Sequence, residues 1–591
     1  MKKLLAIATL LLASTAAQAQ YTFEYGGHTI RIDPDRGTVQ IPGVYDNTGK
    51  RSKRAKGEDS GTTRKSKSHE AKTDSKTNSK TDSQSAPAAA PSQAPGQECN
   101  PTANPDPFLP DPFKFSLVGE FPSGLLPIDE KVKDSIMHSG LPCQEHVNPN
   151  VGEEKEGLDN LQRGFDFYSW RTFLALNAPA DGTSVEHAKA DSPTRWEHMN
   201  NFKQLLDVML PPDMMPPNWP TDEDGMKTER ERLIPEECRA LHKQMPDRMV
   251  VKMIEESFNE PFKTGPLIDQ QGHYAIFDIL MNRQMFDYIK DNRLYSKAGQ
   301  KSAANSGLLV DFPPGADKPP GKDPSPTLGA FMLKVSWKVL VPSEIQAQNF
   351  HTVKAFVLMP PGEAKAKRPC LSETLGLIGF HAVHKTVGRP QWIWTSFEHV
   401  KNVPDRDEVK AKTLDGPYSF FSTSCKGDCP AENATPPRPW DPDPALQLRF
   451  RKDDSFKSQI VRETPLTPAA KNMNRIFQSM LQDSVWKNYI LISTQWPSTF
   501  ACATLSSLSF EAPVPKTDFL KQPDMTCSPA PTFMANSTLE TYSQGEVPLA
   551  SSSCIACHGN AVSFQTRPSN PKPGAIHLNQ SDFTFMLEKA Q

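Results

Sequence analysis

Two thiols and an imidazole stand together near the end of the 591-residue chain, in Cys554-Ile-Ala-Cys557-His558. Cysteines at this spacing lie one helical turn apart, so both can add to vinyl groups of one porphyrin while the next residue offers its imidazole to iron. The motif predicts one covalently bound haem c, with Cys554 and Cys557 as thioether anchors and His558 as the axial ligand of the iron. Ser551, Ser552 and Ser553 can cap a short helix starting just before Cys554. Two other chemistries use Cys-x-x-Cys. A thioredoxin-like pair wants a βαβ setting, and half of a zinc site wants a second pair of ligands nearby.

The tail after His558 is short, which points to the large upstream domain for the other face of such a haem and leaves the sixth ligand open. The candidates for a sixth ligand are His381, His384, His399, His577 and Met586. Gly379-Phe-His381-Ala-Val-His384-Lys-Thr386 and Gln391-Trp-Ile-Trp-Thr-Ser-Phe-Glu-His399 read as two strands joined by Val387-Gly-Arg-Pro390, which sets His381 roughly opposite Trp394. Histidines buried against backbone are the commoner outcome at such positions. His577 falls in a Pro-flanked loop. Met586 belongs to an amphipathic C-terminal helix expected over Ser581–Lys589, where methionine is ordinarily core. In an enzyme, one of the three strand histidines could serve as distal acid or base and Arg389 could stabilise a developing anion.

The elements that must hold these residues follow from the rest of the chain. Lys2 and Lys3, an apolar run over Leu4–Ala13 and small residues ending in Ala17-Gln-Ala19 have the order of a secretory signal peptide, residues 1–19. The expected address is the periplasm, with secretion as the alternative. Residues 20–45 alternate as two or three short strands. Residues 46–98 lose nearly every large apolar side chain and carry a repeated Lys-Thr-Asp-Ser-like unit, predicting a disordered basic and Ala/Pro linker that could touch the envelope.

From 99 to about 540 the chain is apolar enough for a large mixed α+β domain, rich in loops and in the chain's 56 prolines. Residues 541–591 form a short helical haem-attachment segment packed upon it. Helices are predicted over about Asp159–Asn177 and from Thr467-Pro468, and strands over Phe331–Trp337, Ala355–Met359, Leu375–His384, Gln391–Val400 and Tyr489–Ser493. No later stretch offers 18 consecutive apolar residues, and a net charge of −3 gives no sign of a nucleic-acid partner. Eight further cysteines in an oxidising compartment predict disulfides, with Cys425–Cys429 and Cys502–Cys527 the favoured pairs.

Beyond these readings, the chain resembles large exported bacterial cytochrome c family proteins. The resemblance rests on Tyr168-Ser-Trp-Arg-Thr-Phe-Leu-Ala-Leu-Asn177, Gly379–Thr386, Pro390–His399, Gln495-Trp-Pro497, Asn536-Ser-Thr-Leu-Glu-Thr-Tyr542 and Ser553–His558, and covers roughly residues 155–591. It implies one haem on a large non-cytochrome body and says little about substrate. The expected function is one-electron transfer with a redox partner that the sequence does not identify. A haem enzyme, peroxidase-like or an oxidase subunit, is the alternative, because one haem does not require so large a body. A third reading is an envelope-tethered binding protein carrying a haem.

Overall fold

A computed structural model describes the strands lying within residues 21–46 by their backbone and, with interruptions, residues 99–591. The longer stretches outside that description are 1–20, 47–98, 101–127, 148–154, 318–324, 361–367, 498–528, 546–551 and 564–580. The expected signal peptide, nearly all of the expected linker, Cys502, Cys527, Ser551 and His577 therefore lie outside the described residues. The chain divides into two compact units, Met1–Ser92 and Gln93–Gln591.

In the first unit, β1 (Tyr21–Tyr25), β2 (His28–Asp33), β3 (Thr38–Ile41) and β4 (Tyr45–Asp46) follow one another as an antiparallel meander. Tyr21 faces Ile32 and Arg31 faces Gln40 in the register. There are four strands where the sequence predicts two or three, because the two-residue β4 is too brief to show a period.

The second unit is mixed α+β around one nine-stranded sheet. Its strands are β5 (Lys203–Gln204), β6 (Met249–Lys252), β7 (Ile276–Met281), β8 (Phe331–Val339), β9 (Thr352–Leu358), β10 (Cys370–Thr386), β11 (Arg389–His399), β12 (Tyr489–Pro497) and β13 (Pro529–Ala530). The order β13-β12-β11-β10-β8-β7-β5 is antiparallel throughout, whereas β9 pairs with the opening half of β10 and β6 joins β9 in parallel. The length of β10 allows both pairings: Cys370 to Gly376 lie against β9, and Leu375 to His384 against β8.

Alternation along the strands sorts side chains to two faces. Phe331, Leu333, Val335 and Trp337 of β8, Phe380 and Ala382 of β10 and Phe397 of β11 share one core cluster. Two helices, Lys155–Asn177 and Pro468–Met480, cover this face. Trp170 stacks on Phe477 at 4.8 Å and Phe173 on Phe397 at 4.1 Å between ring centroids. The second helix starts as its sequence predicts, with the Thr467 hydroxyl accepting from Ala470 N at 3.1 Å and Pro468 in the first turn. Met332, Val383, Trp394 and Ile492 point the other way, into a cluster that also takes in Met534, Ile555, Phe583 and Met586. The chain end thus packs on the face opposite the two helices.

Three features differ from the sequence reading. Val383, not His381, lies opposite Trp394, and His381 pairs with Ser396. The turn contains only Val387 and Gly388, since Arg389 already pairs with Thr386, and the register moves by two positions. The expected C-terminal helix is instead a five-residue 3-10 turn, Phe585–Lys589, because Asp582 and Phe583 adopt left-handed φ values of 50° and 64° just before it. Disulfides join Cys425 to Cys429, as expected, and also Cys99 to Cys143 and Cys238 to Cys370.

Candidate functional site

Cys554 to His558 form a five-residue helix, too short to persist alone, so its neighbours must hold it. The Ser553 hydroxyl caps it by accepting from Ala556 N at 3.3 Å. One β12 side chain does most of the docking. The Gln495 carbonyl oxygen accepts from Ile555 N at 2.8 Å and from the Ser553 hydroxyl at 3.2 Å, while its amide donates to the Pro531 carbonyl at 2.8 Å. Gln495 ends a register row, Met332–Val383–Trp394–Gln495, that crosses β8, β10, β11 and β12. Ile555 is buried with the first three members of that row, which fixes the face the helix presents to the sheet. Neither Cys554 nor Cys557 takes part in a disulfide.

The His558 ring is fixed from behind. Its Nδ1 donates to the Phe583 carbonyl at 2.9 Å, which leaves Nε2 as the nitrogen with a lone pair. Trp394 and Phe585 pack on the imidazole, with ring centroids 4.3 Å and 5.0 Å away. The Phe583 carbonyl is presented by the left-handed pair Asp582 and Phe583, which costs backbone energy and needs an anchor. Asp582 supplies the anchor. Its carboxylate accepts from Phe312 N at 2.8 Å and from the Lys385 ammonium at 2.5 Å.

Burial lowers the His558 pKa to about 4 even though its bond to Phe583 pulls the other way, so the ring is a neutral donor of electrons at pH 7. Burial, assisted by the charge of Glu540, raises Cys554 well above the usual thiol range and Cys557 to about 12. A thioredoxin-type pair needs a stabilised thiolate, and this environment does the reverse. Two neutral thiols one turn apart, beside an imidazole whose Nε2 is free to coordinate, fit a haem c. Cys554 and Cys557 would hold its vinyl carbons and His558 its iron.

A charged group lies on the same face of the sheet. Lys334 and His381 are register partners on β8 and β10. His381 Nε2 lies 2.8 Å and 3.1 Å from the two Glu540 oxygens, and Lys334 Nζ is 3.7 Å from one of them. Burial alone would raise the Glu540 pKa, but His381 and then Lys334 outweigh it and hold the carboxyl at about 2. The charges of Glu540 and Lys334 act on both thiols and on His558, so the group borders the motif.

Glu540 is placed there by Asn536-Ser-Thr-Leu-Glu-Thr-Tyr542, which lies along the sheet. The Asn536 amide donates to the Ser396 hydroxyl at 3.1 Å and the Phe397 carbonyl at 2.9 Å, and its oxygen accepts from Thr538 N at 2.9 Å. Close approach requires Gly379, because a Cβ there would come within 2.5 Å of both Ser336 Oγ and Thr538 Oγ1. Neither Glu540 nor Lys334 stood out in the sequence. In the sequence Glu540 figures only within Asn536–Tyr542, one of the segments on which the resemblance rests.

The other candidates go elsewhere. His399 uses both ring nitrogens within its strand end: Nε2 donates to the Asn349 carbonyl and Nδ1 accepts from Lys401 N, each at 3.1 Å. With its ring also stacked on Phe350, it is a structural histidine and not a ligand. His384 turns to the helix-covered face, where its Nδ1 meets the Tyr168 hydroxyl at 2.5 Å, so the sheet separates it from His558. Arg389 is also on that face, against Glu145, Phe165 and Trp496, and it is not placed to stabilise an anion at the motif. Met586 follows closely after the carbonyl that grips His558 from behind and is buried with Ile555 and Phe583. Met586 is buried in the apolar cluster, the ordinary core position of a methionine. Of the described candidates, His381 and Met586 stay beside the motif, His381 within the charged group and Met586 within the apolar core.

Comparison of the chain with family models, with curated proteins and with solved structures finds no match. No helix among the described residues is long and apolar enough to cross a membrane.

Proposed function

We propose that this chain is an exported cytochrome of the c type that binds one haem covalently through Cys554 and Cys557, with His558 on the iron, and transfers single electrons in the periplasm. The observation carrying this reading is the neutral His558 ring, fixed by the Phe583 carbonyl and presented one residue beyond two turn-spaced thiols that form no disulfide. When bound, the haem supplies a one-electron couple. The protein's own part is to orient the His558 imidazole, exclude water with Trp394, Phe585 and Ile555, and set the local charge through Glu540 and Lys334. A net carboxylate charge beside the iron stabilises its oxidised form, whereas Lys334 acts in the opposite sense.

The group His381, Glu540 and Lys334 favours a second reading, a haem enzyme of peroxidase type. A simple carrier has no need of a part-buried histidine–carboxylate pair beside its haem, whereas bond cleavage in a peroxide needs a group that moves a proton. Electronic spectra of the purified oxidised and reduced protein test both readings. Six-coordinate low-spin iron in both states supports the carrier, and high-spin iron that binds a small added ligand supports the enzyme.

A further inference from the structure

The mechanism above leaves one buried pair unused. Tyr168 and His384 are each about 1% exposed, and the Tyr168 hydroxyl lies 2.5 Å from His384 Nδ1. By contrast, the buried Tyr274 and Tyr489 and the partly buried Tyr542 donate to the backbone carbonyls of Trp440, Leu377 and Pro266. A carbonyl cannot take the proton of an oxidised phenol, but a neutral imidazole can. Neutral His384, accepting at Nδ1, carries its hydrogen on Nε2, and that buried nitrogen has no hydrogen-bond partner among the described residues. The unmet bond is unfavourable, and an apolar residue would fill the same space without it. His384 therefore serves its single bond to Tyr168, and its ring is held flat against Phe331 at 4.8 Å between centroids.

The pair also stands behind the haem-attachment motif. His384 is the register partner of Ile393, and Ile393 is bonded to Trp394, whose indole packs on His558 from the opposite face of the sheet. We propose that Tyr168 and His384 form a redox-active pair, from which Tyr168 returns an electron to the haem site after that site has been oxidised by a hydroperoxide. This rests on the covalent-haem reading and specifies its enzymatic form.

A hydroperoxide takes two electrons from the haem site and two protons from solvent, giving an alcohol and water. Tyr168 supplies one electron back to the site, its O–H bond breaks, and the proton crosses the hydrogen bond to His384 Nδ1. A neutral tyrosyl radical and an imidazolium remain. One electron from an external reductant, with the proton returned from His384, restores the Tyr168 phenol, and a second electron from the same reductant restores the haem site, so two reducing equivalents are consumed per hydroperoxide. Keeping the proton within the pair avoids leaving a bare phenol cation in a dry site.

The test uses full-length protein. A pyridine haemochrome spectrum first establishes whether haem is bound, and electron paramagnetic resonance is then recorded on samples frozen after mixing with hydrogen peroxide. Wild type is expected to show a tyrosyl radical whose coupling to one exchangeable proton disappears in D2O. Tyr168→Phe is expected to lose the signal with its haem spectrum unchanged, while Tyr274→Phe keeps it. The D2O measurement needs no variant and stands if Tyr168→Phe fails to fold. Haem without a Tyr168 radical overturns the pair and leaves the covalent-haem reading intact. Protein without haem overturns both.

Discussion

The imidazole of His558 is bonded through Nδ1 to the carbonyl oxygen of Phe583, 2.9 Å away. This contact joins the last residue of the Cys554–His558 helix to the end of the chain and decides which nitrogen faces outward. Phe583 in turn depends on Asp582, and Asp582 on Lys385 at the tip of β10. The account therefore predicts that Lys385→Met, which touches neither thiol nor imidazole, will alter the iron site. Removing one partner of a buried ion pair costs about 3–5 kcal/mol, although Asp311 at the exposed end of the network does not share that loss. Urea unfolding should register the destabilisation, and redox titration a shifted midpoint.

The axial assignment gives a second prediction. Met586→Leu and His399→Gln should leave the absorption bands of oxidised and reduced haem where they are. His381→Ala should move them or change the affinity for an added ligand such as azide. Unchanged bands in His381→Ala combined with altered bands in Met586→Leu would reverse the placement of the two faces.

Gly379 admits the Asn536–Tyr542 segment to the sheet, and its replacement has a direct structural consequence. Gly379→Ala would place a methyl group 2.5 Å from two hydroxyl oxygens, one on β8 and one on the segment itself. Overpacking of this kind costs about 1–3 kcal/mol. The segment carrying Glu540 is also expected to lift, so the variant should lose both urea resistance and the effect of Glu540 on the iron. A fully stable Gly379→Ala with wild-type spectra would contradict the close approach.

Two carboxyls near the site predict opposite pH trends. The Glu540 carboxyl lies below its ordinary value, so it favours folding above about pH 4.5, and that contribution is lost as the pH falls toward about 2. Glu260 is raised to about 8, chiefly by burial and despite accepting from both the backbone and the hydroxyl of Thr541. The folded chain then keeps a proton that the unfolded chain has released, and stability falls as pH rises from about 4.5 to about 8. At pH 7 the penalty is on the order of 3 kcal/mol. Glu260→Gln should flatten the neutral limb of a stability–pH curve measured by urea unfolding, while Glu540→Gln flattens the acid limb.

What could be read beforehand depended on how local each determinant was. The short helix over Cys554–His558, the Thr467-Pro468 helix start and the aromatic helix read from about Asp159, which begins at Lys155, each depend on a few turns of chain, and the fold contains these elements. The strand register failed by two because composition does not reveal where a hairpin turns, and Arg389-Pro390 read as turn although they lie in β11. Glu540 meets His381 across 159 positions, and Cys238 meets Cys370 across 132. Contacts of that separation are set by the sheet as a whole. The C-terminal turn was hidden for another reason: the left-handed Asp582 and Phe583 oppose local propensity and are held by Lys385 from a distant strand.

The central claim is that Cys554 and Cys557 hold a haem whose iron His558 ligates. Intact-mass spectrometry under denaturing conditions, run on protein made with haem-attachment machinery, tests it most directly. The account predicts that the mature chain carries the added mass of one haem through acid denaturation and that Cys554→Ala/Cys557→Ala loses it. A wild-type mass with no haem, or a haem that survives loss of both thiols, would contradict the account.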